Sequence, residues 1–370
     1  MPKILFVSTS TTLGGAEKTL FTLATGVAPE RFPVVGVVSL KPLGLYGDRL
    51  AARGFAVESL DVSLCPGPAE ARRLGRIIRE LKPDLVHALM YQAIQLCRFV
   101  KPRIGVPFKL VSSPRVNYRT RSRWTLWVDR LLRDQDDLLI TESRASRDFL
   151  VHGLGYDEKR LATIYNGVEP PAASASPQER ERRRRELGLE AGHVLFAAIG
   201  RLDEQKGHGV LLDAMARLKD SPARCVIIGG GPLHGRLEAK VRGLGLEGRV
   251  RLLGERADSA SWLGACDVFV LPSLWEGLPN AVLEAMALGL PVLASSVDGV
   301  CEIITSGRDG LLTPPGDPAA LARAACDLAA DSSLRRRLGE AGRARVREGF
   351  SLRAMLAGYE AAYQGVLSQL

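Results

Sequence analysis

Short aliphatic and β-branched runs alternate with stretches whose apolar positions recur every three or four residues, along almost the whole chain. Continuous apolar runs bounded by turn residues read as strands buried on both faces, and the amphipathic stretches between them as covering helices. The spacing predicts strands at 4–8, 34–39, 85–88, 109–112 and 138–141 in the first half. In the second half it predicts them at 194–199, 225–228, 250–253, 268–271 and 291–294. Helical patterns fall between them, at 16–26, 69–81, 210–218 and 281–288. Strands and helices in turn predict parallel α/β layers. Between the halves, 169–177 is rich in Pro, Ala and Ser, and the charge run QERERRRR follows at 178–185. That break reads as an interdomain linker entering a solvated helix. The prediction is two doubly wound α/β domains, 1–170 and 186–345, joined by a linker at 171–185. A closing segment, 346–370, follows, with its helix from about 352.

Composition narrows this. A length of 370 residues suits two domains at roughly 150 residues each. With 46% hydrophobic and 25% charged residues, disorder, collagen-like structure and a multi-span membrane protein are excluded. No window holds the roughly 18 to 20 apolar residues of a membrane span, and residues 1–10 lack the apolar core of a leader. The six cysteines are scattered, without CxxC pairs or metal-ligand spacing, which suits a reduced, cytoplasmic compartment.

The net charge of +9 is uneven. Residues 1–170 carry 25 Lys+Arg against 17 Asp+Glu, and residues 171–370 carry 25 against 24. Within 98–133 lie ten basic residues and the single acid Asp129, together with Trp124 and Trp127. Arg115, Arg119, Arg121, Arg123 and Trp124 make a candidate patch for an anionic membrane or a charged acceptor. No nucleic-acid motif accompanies the charge. For the tryptophans the favoured expectation is different: Trp124, Trp127, Val128 and Leu131 have the spacing of a helix's core stripe.

Three strand-to-helix turns are candidate anion sites, because helix N-termini present backbone N–H groups and a favourable dipole. Gly14-Gly15 opens the helix after the first strand; without a third glycine it is not a dinucleotide fingerprint, and it is equally a tight turn or a ligand loop. Arg201 and Lys206 sit in the glycine-bounded loop 200–207 past a strand, where both can converge on a phosphate. The strongest signal is SLWEGLPNAVLEAMA at 273–287. Pro279 suits the first helical position, with Glu276 in the loop before the helix and Glu284 more than a turn into it. Backbone N–H groups at the helix start would hold phosphate while the two carboxylates accept from sugar hydroxyls on either side of it. An acid–base pair for glycoside hydrolysis is the competing use, disfavoured by a phosphate-type helix start between them.

Glu276-x7-Glu284 within EGLPNAVLEA resembles the signature of the family 4 glycosyltransferases. GGAE at 14–17, IYNGVE at 164–169, GRLDEQKG at 200–207, GGGPL at 229–233, FVLPSLWEG at 269–277 and GRDGLLTPPGD at 307–317 match the same family in order. The resemblance implies the GT-B fold: two Rossmann-like domains facing across a cleft, the first for the acceptor and the second for the donor, with the C-terminal helix returning to the N-terminal domain. It implies a retaining, metal-independent transferase, without cofactor, that uses a nucleotide-diphosphate sugar as substrate, a UDP-sugar favoured. In that family's terms Arg201 and Lys206 bind the diphosphate, Glu284 the ribose, and Glu276 a donor-sugar hydroxyl, with backbone groups of the stretch Gly277, Leu278, Pro279 and Asn280 helping. Gly15 lets the first loop approach donor phosphate and acceptor.

Three departures stand out. Many members carry His-x-His where this chain has His87-Ala88-Leu89, so His87 or Gln92 serves in place of the missing second histidine, or His87 is structural. Asp298-Gly299-Val300-Cys301-Glu302 replaces the usual Gly-Gly-Val-Pro-Glu and puts a carboxylate beside the donor. Asp134-Gln135-Asp136-Asp137 resembles a metal-binding DxD only by composition and reads as a solvated loop. The expected acceptor is a phosphorylated or membrane-borne glycan, such as lipopolysaccharide core or a lipid-linked saccharide. The expected location is the cytoplasm, peripheral on the inner membrane's cytoplasmic face. The alternatives are a small soluble acceptor, an epimerase or phosphorylase of the same architecture, and a non-catalytic sugar-nucleotide-binding protein.

Overall fold

The computed structural model describes residues 1–115, 122–169, 176–256 and 258–368. The chain forms two compact units: Met1–Asn166 with Arg353–Leu370, and Gly167–Leu352.

The first unit is built on a seven-stranded sheet of order β3-β2-β1-β4-β5-β6-β7. Its strands are β1 (Ile4–Ser8), β2 (Val34–Ser39), β3 (Val57–Ser59), β4 (Leu85–Leu89), β5 (Lys109–Ser113), β6 (Leu138–Thr141) and β7 (Leu161–Thr163). All pairings are parallel. Every residue of β1 and β4 is buried, as strands covered on both faces require. On one face Leu5, Val7, Val86 and Ala88 pack with Leu74, Ile78, Ile94 and Cys97 from two helices.

The second unit has a six-stranded parallel sheet of order β10-β9-β8-β11-β12-β13. Its strands are β8 (Val194–Ile199), β9 (Ala223–Ile228), β10 (Val250–Leu252), β11 (Val268–Leu271), β12 (Val292–Ser295) and β13 (Leu311–Thr313). Its core joins Phe196, Ile227 and Val270 to Leu211, Leu212, Leu321 and Leu328. Asp317 starts the helix Pro318–Ala330 by accepting from the N–H groups of Ala319 and Ala320, both at 2.9 Å, which satisfies two of its orphan donors.

The closing helix, Leu352–Leu367, belongs to the first unit. Tyr359 and Tyr363 are fully buried, and Glu360 accepts from the Ala28 N–H at 3.0 Å. Residues 346–349 finish the preceding helix, Ser332–Gly349, rather than opening the closing one. Where the chain leaves and returns, Val168 and Ser351 form a parallel bridge, with Val168 N–H donating to Phe350 O at 3.0 Å.

The charge run also departs from expectation. Residues 171–175 lie outside the described residues, but the helix Pro177–Glu186 is a packed element, not a solvated one. Arg180 and Arg184 pair with Asp267 at 2.5 and 2.9 Å. Arg183 is buried, bonded to Asp258 at 2.6 Å and stacked over Trp262 at 4.6 Å. Arginines suit this role, since their forks bond carboxylates in plane while the stems cover apolar surface. Among the described residues no helix is long and apolar enough to cross a membrane.

Candidate active site

In the second unit the loops leaving β8 and β11 place the two strongest sequence signals side by side. After β8, Asp203 starts a short 3-10 turn, Glu204–Lys206, by accepting from the Lys206 N–H. Gly207 ends it at φ 61°. A Cβ there would stand 2.0 Å from Pro272 O, so only glycine lets the Lys206 loop lie against the segment that follows β11. The Lys206 ammonium donates to Glu276 Oε1 at 2.6 Å, and Ser273 Oγ donates to the same oxygen at 2.6 Å. Gln205 Nε2 donates to Trp275 O at 3.0 Å and reaches Glu276 Oε2 at 3.4 Å.

Glu276 is therefore a buried carboxylate compensated by one cation and one hydroxyl, the condition under which such burial is tolerated. Lys206 keeps a fifth of its side chain exposed, and Arg201 keeps 70% exposed while bonded to Asp203 at 2.6 Å. Both cations are thus at hand for an anion. Their neighbour His208 is buried, and burial, then the charge of Lys206, lowers its pKa to about 4. It stays neutral at pH 7 and adds no charge to the loop.

The helix after Glu276 runs Asn280–Ala287, with Pro279 at the cap, φ −74° and ψ 115°. Pro279 stands one residue before the helix rather than at its first turn; Asn280 opens it, and Glu284 is half-buried one turn in. Gly277 and Leu278 precede the cap. A Cβ on Gly299 would stand 1.6 Å from Gly277 O, so the loop bearing Asp298 is laid directly on the one bearing Glu276. The substitution noted in that loop therefore lies next to the site. Burial, then the Asp298 charge, raises the neighbouring Cys301 thiol.

The first unit corrects several expectations. His87, read as catalytic, is sealed in the core: Nδ1 meets Tyr363 Oη and Nε2 meets Ser113 Oγ, both at 2.8 Å. Burial, then the charge of Arg115, lowers its pKa to about 3. A neutral ring with both nitrogens occupied and no exposed surface is placed to hold the closing helix, not to meet a ligand. Leu89 is buried as well, and Gln92 Nε2 donates to Leu64 O at 2.8 Å. Gly14 and Gly15 open the helix Gly15–Gly26, where Glu17 is buried and accepts from Ser10 Oγ. A Cβ on Gly14 would lie 2.3 Å from Glu17 Oε2, so this loop is folded onto its own carboxylate.

The basic patch is also smaller than its sequence. Arg115 turns inward, bonding Thr19 Oγ1 at 2.5 Å and Asn166 Oδ1 at 2.6 Å. Arg98 is fully buried between Asp129 and Asp136, and Lys101 and Lys109 both pair with Asp137. The run 134–137 is thus an anchor for buried and half-buried cations, not a solvated loop. Arg119 and Arg121 lie outside the described residues. Trp124 and Trp127, read as a core stripe, are 67% and 51% exposed, while Arg123 is exposed beside them.

Ser273, Gln205 and Asp203 were not singled out in the sequence, although Ser273 and Asp203 lie within three residues of the motif residue each serves, while Gln205 reaches Glu276 from the other loop. A serine three residues before a loop carboxylate is the signal that could have found Ser273.

Known proteins bear on this geometry. A family model described as Glycosyltransferase Family 4 matches residues 13–170, and one described as Glycosyl transferases group 1 matches 193–331. The chain is 28% identical over 288 residues to UDP-Gal:alpha-D-GlcNAc-diphosphoundecaprenol alpha-1,3-galactosyltransferase of Escherichia coli, covering 75% of this chain and 74% of that one. It is 35% identical over 176 residues to the lipopolysaccharide core biosynthesis glycosyltransferase LpsE of Rhizobium meliloti, about half of each chain (48% and 51%). The crystal structure of HepE from Anabaena in complex with UDP and glucose superposes with a TM-score of 0.88 at 24% identity, over 99% of this chain and 100% of that one. With both family models matched in order and two Rossmann-like parallel-sheet units of the GT-B class, the chain belongs to the group 1, family 4 glycosyltransferases and is a glycosyltransferase.

Proposed function

We propose that this enzyme transfers a sugar from a UDP-sugar to a hydroxyl of a membrane-borne or phosphorylated glycan, with retention and without a metal. The observation that carries the reading is the cluster of Lys206, Ser273 and Glu276 with Arg201 beside it. Arg201 and Lys206 would hold the diphosphate, Glu284 the ribose hydroxyls, and Glu276 a hydroxyl of the donor sugar. Two cations next to the leaving diphosphate supply the charge stabilisation that a metal would otherwise give. In the step, the bond from the sugar's anomeric carbon to the diphosphate breaks and the bond to the acceptor oxygen forms on the same face. The acceptor's proton passes to a departing phosphate oxygen, so no protein nucleophile is required.

Support for a UDP-sugar and a lipid-linked or lipopolysaccharide acceptor comes from the names of the E. coli and Rhizobium relatives and from the UDP held by HepE. The free cysteines, three of them exposed, favour a reducing compartment and so the cytoplasmic face of the membrane. The test is nucleoside diphosphate release from UDP-, GDP- and ADP-sugars in EDTA, with and without a glycolipid extract. Release from a UDP-sugar that rises with the extract is expected. Release only from another donor, or only after metal is added, would overturn the donor or the metal-free step. Release indifferent to the extract would favour a small soluble acceptor.

A further inference from the structure

We infer that the aromatic face of the helix Arg123–Leu132 docks on an anionic lipid bilayer. Trp124, Trp127 and Leu131 are 67%, 51% and 60% exposed and fall three and four residues apart, on one side of the helix. The two indole rings stack at 4.8 Å, and each stays more than half exposed. The helix cannot turn this face inward. Its other side is fixed by Asp129, which is buried and bonded to Arg98 at 2.7 Å, and by Leu126, packed with Leu139 and Leu150. The Thr125 carbonyl accepts from Tyr91 Oη at 2.7 Å. An amphipathic helix is thus mounted with its larger apolar side chains outward.

Charge selects the occupant. Arg123 and Arg130 are exposed on this helix, and its one acid, Asp129, is sealed against Arg98. The exposed face therefore carries cations alone. Indole rings favour the boundary between headgroups and acyl chains, and arginines beside them attract anionic lipid. A second copy of the chain would oppose like charges across the same face. A further exposed apolar side chain stands on a loop tied to the same neighbouring helix. Leu64, 81% exposed, sits on a loop whose carbonyl accepts from Gln92, next to the Tyr91 that holds Thr125. Among the described residues every large exposed apolar side chain, these included, belongs to the first unit.

This inference deepens the reading of a membrane-borne acceptor and takes its purpose from it. The test uses the whole chain in flotation with phosphatidylcholine vesicles, with and without phosphatidylglycerol, carrying neither donor nor acceptor. Wild type should float with the anionic vesicles and be released by salt. W124S/W127S should lose roughly tenfold or more of this binding, and R123E/R130E several-fold, while donor-only diphosphate release and thermal midpoint stay unchanged. Wild type that ignores anionic vesicles, or a double tryptophan variant that floats as wild type does, would overturn the inference. So would self-association that W124S/W127S abolishes, which would assign the face to a second copy. Because the vesicles carry no acceptor, failure here is separate from failure of the transfer reading.

Discussion

Each unit holds a cation against a carboxylate, and the two arrangements differ in access. In the first unit Arg98 lies between Asp129 and Asp136 with all three side chains at most 3% exposed, and Ser112 completes the acceptor's shell at 2.8 Å. In the second unit Lys206 pairs with Glu276 at the end of a parallel sheet, and a fifth of the lysine remains open. The first arrangement is closed on all sides and can only hold structure. The second has the same chemistry with one side left available, at the strand ends where parallel α/β sheets bind ligands. Charge type does not separate scaffold from site; accessibility does.

The sharpest way to break this comparison is to remove the two cations in turn. Arg98→Met should cost about 3–5 kcal/mol, because it strands two buried carboxylates, and thermal denaturation should show it as loss of the first unit's transition. Lys206→Met should leave that transition in place. Glu276→Ala should lower transfer by roughly a hundredfold or more, as losing a contact made to the reacting sugar does, with UDP affinity nearly unchanged by calorimetry; undiminished turnover would remove Glu276 from the site. The double variant R201A/K206A should weaken donor binding by about 3–6 kcal/mol, at roughly 1.5–3 for each charged hydrogen bond, and wild-type affinity would place the diphosphate elsewhere.

Acid sharpens the same contrast more gently. His87 and His208 have folded pKa values of about 3 and about 4, below the unfolded value near 6.5. Their contribution is complete above pH about 6.5 and is lost as the pH falls through the window down to those values. The slope is at most about 1.4 kcal/mol per pH unit for each histidine. H87Q should flatten the first unit's share in melting curves taken between pH 7 and 4.5; an unchanged slope would mean His87 is not the group responsible.

What was legible in the sequence follows the same line between pattern and access. Doubly buried strands such as β1 and β8 announce themselves as apolar runs. Three of the four three-residue edge strands, β3, β7 and β13, do not, since most of their residues are only partly buried and the runs are too short to show a period. The Glu276 and Lys206 loops were readable because each is a short motif whose members fold locally. His87 and the cluster that begins at Arg98 were misread because their partners lie far off along the chain: Tyr363 for the first, Asp129 and Asp136 for Arg98. Spacing along the Arg123–Leu132 helix gives two faces but not which one turns inward. That was decided by a buried acid whose partner sits on another helix.

The closing helix carries a consequence for how the protein is made. The ribosome delivers Met1–Asn166 first, yet the tyrosines that cover His87 come from residues 359 and 363. The whole second unit must be translated in between, which takes roughly 10–40 s at 5–20 residues per second. Throughout that interval the earlier segment waits with an open polar seam at β4. The later-made unit, contiguous in sequence, can finish folding before the earlier one. Sealing His87 is therefore one of the last events open to a newborn chain, and a premature stop anywhere before Tyr359 leaves that histidine without its tyrosine cover.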